Sequence, residues 1–196
     1  MKKIVLLLLA VMIFASFAHA KSAESLTTSI KDDVVVTIDN GAKSIGFGWL
    51  EFKDLPEDEA SKYKEVKFKV KTAYLGITTA IDGYMSGGNE TAKSYAVKFI
   101  SNLKGKNEVV RVEDSSGNEL KMANVTERTQ DWAKSEFGNP MIGIVVPVKY
   151  MEGNPGGVEL NLFNAIGEKT TIFIPDFYLK AMKEYFEGHN IKSGMN

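Results

Sequence analysis

Short runs of alternating apolar and polar residues recur along most of this 196-residue chain, and Gly, Asn or Pro separates each run from the next. The runs are DVVVTI, EVKFKVKTAYL, SYAVKFI, NEVVRVE, MIGIVVPVKY, GGVELNLF and KTTIFI. A period of two gives a β-strand one apolar face and one polar face. Many short strands joined by turn residues predict a mostly β fold, which we interpret as an antiparallel β-sandwich or a barrel-like relative of it.

The clearest of these strands is EVKFKVKTAY, at residues 65–74. Its apolar side chains alternate with Lys67, Lys69 and Lys71, so one face is predicted to lie on the core and the other in water. A row of lysines either forms a solvated face or protects a sheet edge from strand addition. Polyanion binding is the alternative, which the near balance of charge in the whole chain does not favour.

The runs MIGIVVPVKY and GGVELNLF predict a hairpin with MEGNPGG at its tip. Pro147 cannot donate to a strand ladder, so the first of the two strands is expected at a sheet edge or with a bulge. In the second strand, Val158, Leu160 and Leu162 are predicted to point inward.

Two other stretches have a polar or glycine-rich composition that could suggest a binding loop. EDSSGNE, residues 113–119, has oxygen ligands around a glycine but lacks the spacing of a calcium loop, so it predicts a hairpin turn. SIGFGW, residues 44–49, has two glycines but no helix follows them, so it does not predict a phosphate-binding loop.

The first twenty residues have the three parts of a bacterial secretory signal peptide. Lys2 and Lys3 are basic, an apolar run follows, and Ala18 and Ala20 flank a cleavage site near Ala20. The mature protein is therefore expected to be periplasmic or secreted. Residues 21–30 are predicted to be a flexible lead-in, residues 31–187 a single domain, and residues 188–196 a tail.

Composition excludes several classes of protein and of site. The chain has no cysteine, which excludes thiol catalysis and zinc–thiolate sites. Lys and Arg number 24 against 25 Asp and Glu, so the basic excess of a nucleic-acid binder is absent. Beyond the leader, no apolar stretch is long enough to cross a bilayer. We expect no cofactor, no nucleic-acid partner and no membrane span in the mature chain.

The histidines give no basis for a metal site or a catalytic triad. His19 lies in the predicted leader, and His189 is the remaining histidine, close to the end of the chain. We interpret His189 as an exposed tail residue. We therefore predict no metal ligand and no catalytic residue.

The sequence PDFYLKAMKEYFEG predicts a helix over residues 176–187, with Asp176 as its cap and Gly188 at its end. Its apolar residues cover about half of the helix circumference, which is wider than a minimal core-facing stripe. A helix this short is marginal alone, so it is expected to pack on the strand domain. Tyr178 and Tyr185 lie on the broad arc and are candidates for contact with a ligand or partner.

Two further aromatic residues are candidates for such contact. Trp132 lies in a polar excursion, residues 126–140, which is predicted to hold a turn of helix around 131–136. Tyr84 lies beside the glycine-rich turn at 87–88. Exposed rings can stack on sugars or contact another protein.

We therefore expect an exported, non-catalytic binding or protein-interaction domain of the bacterial cell envelope. Its partner would be an envelope protein or a second copy of the chain. The alternative is a glycan-binding module that uses Trp132 and Tyr84. A third and weaker alternative is a hydrolase with a carboxylate pair, either Asp82 with Glu90 or Asp131 with Glu136.

Overall fold

A computed structural model describes residues 22–51, 55, 74–83, 85, 89–100 and 108–193. The predicted signal peptide at 1–20, most of the predicted strand at 65–74, and Tyr84 lie outside these residues.

The described residues form eleven strands and four helices. The strands are β1 Val35–Asp39, β2 Ala42–Gly46, β3 Leu50–Glu51, β4 Tyr74–Asp82, β5 Thr91–Ile100, β6 Val109–Asp114, β7 Glu119–Leu120, β8 Met122–Ala123, β9 Met141–Val146, β10 Val158–Asn164 and β11 Lys169–Ile174. The helices are α1 Ala23–Asp32, α2 Glu127–Phe137, α3 Val148–Glu152 and α4 Asp176–Gly188. The prediction of a mostly β, antiparallel chain is confirmed. The described part has α1 and α3 in addition to the predicted C-terminal helix and the turn of helix predicted around 131–136, which belongs to α2.

The strands belong to two antiparallel sheets. In the large sheet the order is β1-β2-β4-β5-β9-β8, and β3 also pairs with β4. In the small sheet the order is β11-β10-β6-β7. The chain changes sheet between β7 and β8, where Lys121 stands between the two strands and its carbonyl accepts a hydrogen bond from the Val145 N–H at 2.8 Å.

A two-residue turn at Asn40 and Gly41 joins β1 to β2. Both residues have positive φ, 49° and 81°, which suits the right-handed twist of a tight hairpin. The turn sets the register, in which Asp39 lies opposite Ala42. Asn-Gly in this sequence context is a strong hairpin signal, and the strand boundaries follow from it.

The predicted turn at residues 113–119 is confirmed as the hairpin that joins β6 to β7. The Asp114 carboxylate organises it, because it accepts hydrogen bonds from the N–H groups of Ser116 at 2.8 Å and Asn118 at 2.9 Å. The side-chain amide of Asn118 donates to the other carboxylate oxygen at 2.8 Å. Gly117 has φ 84°, a conformation that glycine adopts without strain.

One hydrophobic cluster joins the buried faces of both sheets to α1 and α4. The large sheet contributes Ile45, Ile77 and Val97, and the small sheet contributes Val112, Leu160 and Leu162. The helices contribute Leu26 and Ile30 from α1, and Phe177, Tyr178, Met182 and Phe186 from α4. The inward direction predicted for Val158, Leu160 and Leu162 is confirmed, since all three are buried.

The segment predicted to be a flexible lead-in, residues 21–30, is mostly helical and belongs to α1. The Ser22 hydroxyl caps the helix by accepting the Ser25 N–H at 3.1 Å. Leu26 and Ile30 lie one turn apart and are buried in the core cluster. The segment is polar in composition because only one narrow stripe of α1 faces the protein, so its sequence did not predict these two contacts.

The predicted hairpin between MIGIVVPVKY and GGVELNLF does not form. β9 pairs with β5 and β8 in the large sheet, whereas β10 pairs with β6 and β11 in the small sheet. Pro147 explains the difference, because it lies directly after β9 and its φ of −59° suits the start of α3. The strand predicted to continue through Val148 and Tyr150 therefore becomes a short helix.

The C-terminal helix α4 is confirmed at Asp176–Gly188 and packs against α1 and the core cluster. Pro175 takes the cap position predicted for Asp176, which instead lies in the first turn. An acidic residue is favourable there because the N-terminal end of a helix carries partial positive charge. The Asp176 carboxylate also accepts the Phe177 N–H at 2.7 Å.

Candidate functional site

The large sheet has a second face, opposite the main core, which we call the outer face. Ile45, Ile77 and Val97 are buried in the main core, so their neighbours on each strand point to the other side of the sheet. On β2 and β4 several of these neighbours are small: Gly46, Gly76 and Thr78. The Trp49 ring covers Gly76, and space remains beside it above Gly46 and Thr78.

That space forms a groove of about 490 Å³ on the outer face. Its lining comes from four strands, the segment after β2 and the end of α1. The lining residues are Asp33, Val35, Thr37, Ser44, Gly46, Phe47, Gly48, Trp49, Gly76, Ile77, Thr78 and Lys98. Polar and apolar groups both line the groove, and the half-exposed indole of Trp49 is an aromatic part of that lining.

The Trp49 ring lies face-on against the backbone of β4 at Gly76. A Cβ atom built on Gly76 would lie 2.9, 3.0 and 3.1 Å from Trp49 Cε3, Cζ3 and Cδ2. Three adjacent ring atoms at nearly equal distances place that point above the ring face and not beyond its edge. One face of the indole thus rests on the sheet, and the side chain keeps 41% of its surface exposed.

Trp49 points outward because the strand alternation is interrupted before it. β2 ends at Gly46 and β3 begins at Leu50, so residues 47–49 do not follow the pleat. Phe47 and Leu50 both point into the core, at 4% and 1% exposed. Strict alternation from Phe47 would have placed Trp49 inward as well.

The hydroxyl of Tyr178 fixes the segment that carries Trp49. It donates to the Gly48 carbonyl at 2.8 Å and accepts the Ile77 N–H at 3.1 Å, and the ring is fully buried. The Phe47 N–H donates to the Ile77 carbonyl at 2.9 Å, which ties the same segment to β4. Burial raises the pKa of Tyr178 above its usual range, and the hydrogen bond from Ile77 lowers it by less, so the hydroxyl keeps its proton.

Gly48 allows α1 to approach this segment closely. Its N–H donates to the Ile30 carbonyl at 3.2 Å. A Cβ at position 48 would lie 2.9 Å from the Cβ of Asp33 and 3.2 Å from the Cα of Ile30. A side chain would therefore separate the end of α1 from the groove wall.

Trp132 lies on α2, beside Trp49. The Thr126 hydroxyl caps α2, and Gly138 ends it in the left-handed region with φ 67°. The amide of Gln130 donates to the Met141 carbonyl at 2.7 Å and accepts the Met141 N–H at 3.0 Å, which holds α2 on β9. The two tryptophan rings are 6.2 Å apart at 43°, and Trp132 is 42% exposed.

The four residues predicted to contact a ligand or partner lie in different environments. Trp132 is half-exposed on the outer face, and Tyr84 lies outside the described residues. Tyr178 is buried and bonded within the core, so it positions the groove wall and has no surface left for a partner. Tyr185 is partly buried, meets Phe47 edge-on with centroids 5.5 Å apart, and stacks on the exposed His189 at 4.0 Å.

Trp49, the central residue of the groove, is not among the contact residues predicted from the sequence. The sequence around it, SIGFGW, has two glycines and no helix after them, so it predicts no phosphate-binding loop. The signal that could have found Trp49 is the pair of glycines next to Phe47, because glycines in a strand mark a close approach or a break in the pleat.

The carboxylates of the hydrolase alternative lie at the turn between β4 and β5 and on α2. Asp82 contacts Lys93 at 3.2 Å, and Glu90 contacts Lys43 at 2.6 Å. Asp131 and Glu136 are five residues apart on α2, which separates their directions by about 140° at 100° per residue.

Among the described residues, no group of three or more Asp, Glu and His side chains is placed to hold a metal ion. The described helices include none with the length and apolar character needed to cross a membrane.

A second surface feature is the strand β1, at one end of the large sheet. All five of its residues are exposed, and in the described structure it pairs only with β2. Val35, Val36 and Ile38 expose 63%, 47% and 53% of their surfaces. Val35 borders the groove on the outer face, whereas Val36 and Ile38 point to the opposite side.

Comparison with models of protein families, with curated proteins and with solved structures finds no match.

Proposed function

We propose that this chain is a non-catalytic interaction domain of a bacterial cell envelope and that it associates through the edge of β1 with a second copy of itself. The observation that carries the proposal is an edge strand with every residue exposed, three of them large and aliphatic. Native proteins usually protect such an edge with charge, proline or a covering loop. An edge with this composition is suited to strand addition.

The backbone of β1 supports strand addition. In a hairpin with a two-residue turn, the residues next to the turn exchange hydrogen bonds, and alternate residues do the same. Asp39, Thr37 and Val35 therefore bond to β2, while the N–H and C=O groups of Val36 and Ile38 point away from it. In the part of the chain that the structure describes, no other strand pairs with these groups, so a second strand can bond to them.

A second copy fits this edge in one favourable register. If Thr37 pairs with its own copy in antiparallel fashion, each Val36 lies opposite the Ile38 of the other chain. The two pairs of Val36 with Ile38 would exchange about four backbone hydrogen bonds. Asp39 would lie opposite Val35, so no like charges meet, and Thr–Thr and aliphatic cross-strand pairs are stabilising.

The location rests on the first twenty residues, whose basic start, apolar run and small residues near Ala20 are typical of a secretory signal peptide.

For the fold, we propose that the two sheets stack as a sandwich. The shared hydrophobic cluster and the change of sheet at Lys121 support this arrangement.

Sedimentation equilibrium of the chain over a wide concentration range tests the association. We expect a reversible monomer–dimer equilibrium in the micromolar range or weaker, because two short strands bury much less than the roughly 1,200 Å² of a stable interface. The double variant Val36→Lys with Ile38→Lys should remain monomeric, since lysines at an edge oppose strand addition.

Val110→Lys is the matched control, because Val110 is 55% exposed on β6 of the small sheet. It should dimerise like the unmodified chain. A chain that stays monomeric at about 1 mM, or a double variant that dimerises normally while keeping its thermal midpoint, would contradict the proposal.

A further inference from the structure

We infer that the groove on the outer face is a carbohydrate-binding site in which a pyranose ring stacks on Trp49. This inference is separate from the β1 association, because Trp49 carries it, and Val36 and Ile38, which would bond to the second copy, point away from the groove. The ligand class follows from the combination of one flat aromatic surface with a set of hydroxyl and charged groups.

Trp49 offers a surface of the correct kind for a sugar. Its inner face is covered by the backbone at Gly76, so the outer face is the one that a ligand can meet. The face of an aromatic ring carries partial negative charge. The C–H groups on one side of a pyranose carry partial positive charge and form a flat apolar patch, which matches that face.

The floor of the groove supplies hydroxyl groups on three neighbouring strands. Thr37 on β1 lies directly opposite Ser44 on β2, about one strand spacing of 4.8 Å away. Thr78 on β4 lies opposite Gly46, and therefore diagonally across from Ser44. Each hydroxyl donates one hydrogen bond and accepts two, as sugar hydroxyls do.

The charged groups of the groove favour a neutral polyhydroxylated ligand over a phosphorylated one. Among the described residues, Asp33 and Lys98 bring one negative and one positive charge to the lining, which balance each other. A carboxylate accepts and an ammonium donates hydrogen bonds, so both can bind sugar hydroxyls. A nucleotide or other polyanion would need a cluster of basic groups.

The groove is preorganised, which lowers the entropy cost of binding. Tyr178 holds the Gly48 carbonyl at 2.8 Å, and Gly76 provides the seat for the indole. Trp132 stands 6.2 Å from Trp49 at 43°, where it extends the aromatic wall. A ligand of more than one sugar ring can therefore contact both tryptophans.

Titration with three hexasaccharides tests the inference: β-1,4-linked N-acetylglucosamine, β-1,4-linked glucose and α-1,4-linked glucose. Tryptophan fluorescence and isothermal titration calorimetry should both show saturable binding of at least one of them. Trp49→Ala should weaken that binding on the order of 10- to 100-fold, the range of aromatic stacking contacts. Thr78→Val, which removes a floor hydroxyl, should weaken it several-fold.

Gly76→Ala tests the position of the indole separately from its presence. It keeps Trp49 but fills the space at Gly76 on which the ring packs. The added methyl would lie about 3 Å from the ring, so Trp49 must move away from the sheet. We expect binding to weaken while the number of tryptophans stays the same. Ile166→Ala is the control, since Ile166 is 62% exposed in the turn between β10 and β11.

The inference is overturned if none of the hexasaccharides binds at about 10 mM, or if Trp49→Ala and Thr78→Val both bind as the unmodified chain does. The double variant Val36→Lys with Ile38→Lys separates the two proposals, because both side chains point away from the groove. This variant should lose dimerisation and keep hexasaccharide binding. Trp49→Ala should lose hexasaccharide binding and keep dimerisation.

Discussion

Two fully buried tyrosines of the core differ in what their hydroxyl groups contact. Tyr178 donates to the Gly48 carbonyl and accepts the Ile77 N–H. The Tyr95 hydroxyl has no hydrogen-bond partner among the described residues. Burial raises the pKa of Tyr95 above its usual range, and the negative charge of Glu152 raises it further, so this hydroxyl stays protonated.

Replacing each tyrosine by phenylalanine should therefore have different effects on stability. Tyr178→Phe should lower the free energy of unfolding by about 1–3 kcal/mol, because it leaves a buried carbonyl and a buried N–H unpaired. Tyr95→Phe should leave it unchanged or raise it by up to about 1 kcal/mol. Urea denaturation of both variants measures the difference, and a larger loss for Tyr95→Phe would show that its hydroxyl is bonded.

The Asp114 carboxylate should give the protein a defined acid sensitivity. Burial raises the pKa of Asp114, but the hydrogen bonds from Asn118 and Ser116 lower it by more, so the net pKa lies below the usual value. A lowered folded-state pKa contributes stability above the unfolded value of about 3.9. That contribution is lost as the pH falls through the folded-state pKa.

Asp114→Asn should accordingly destabilise the chain on the order of 1 kcal/mol at pH 7. The gap between the variant and the unmodified chain should narrow as the pH falls below about 4. Thermal midpoints measured across this pH range test the sign. Glu119→Gln replaces an exposed carboxylate in the same hairpin, and it is the control: its thermal midpoint should stay close to that of the unmodified chain. A difference in midpoint between Asp114→Asn and the unmodified chain that grows as the pH falls would contradict the prediction.

Among the elements, α1 connects the start of the described chain to the C-terminal helix and to the groove. Ile30 is 2% exposed in the core cluster, and its carbonyl accepts the Gly48 N–H next to Trp49. Lys31 forms an ion pair with Glu184 of α4. Docking of α1 therefore helps to position the groove wall.

Ile30→Ala should lower the free energy of unfolding by about 2–4 kcal/mol, because it removes buried methyl groups and leaves a cavity. Thr28→Ala, on the exposed side of α1, should change it by less than about 0.5 kcal/mol. Denaturation midpoints compare the two. Similar losses for both, or none for Ile30→Ala, would mean that α1 does not dock on α4 in solution.

An element could be predicted where its apolar residues recur with the period of a strand or of a helix. The strands and α4 follow clear periods, so their type could be predicted. α1 was not predicted because only Leu26 and Ile30 among its large side chains reach the core, too few to give the sequence a clear helical period. Trp49 was missed because its outward direction depends on the break between β2 and β3, which no period encodes.

For the whole molecule, the alternation of side chains determined the faces of strands but not their partners. The Asn40–Gly41 turn predicts that β1 and β2 are neighbours. In contrast, β9 and β10 are close in sequence and belong to different sheets. Pro147 ends β9 locally, but the direction that the chain takes afterwards depends on how α3 packs on the core, which no local pattern encodes.

β1 supplies both the border of the groove and the outermost strand of its sheet. Antiparallel neighbours are related by an axis perpendicular to the sheet, so a paired copy would present its own indole on the same side of one continuous surface. The pair would be bivalent for a long polymer. Once one half is attached, the other acts at high local concentration, and modest single-site affinity becomes strong avidity.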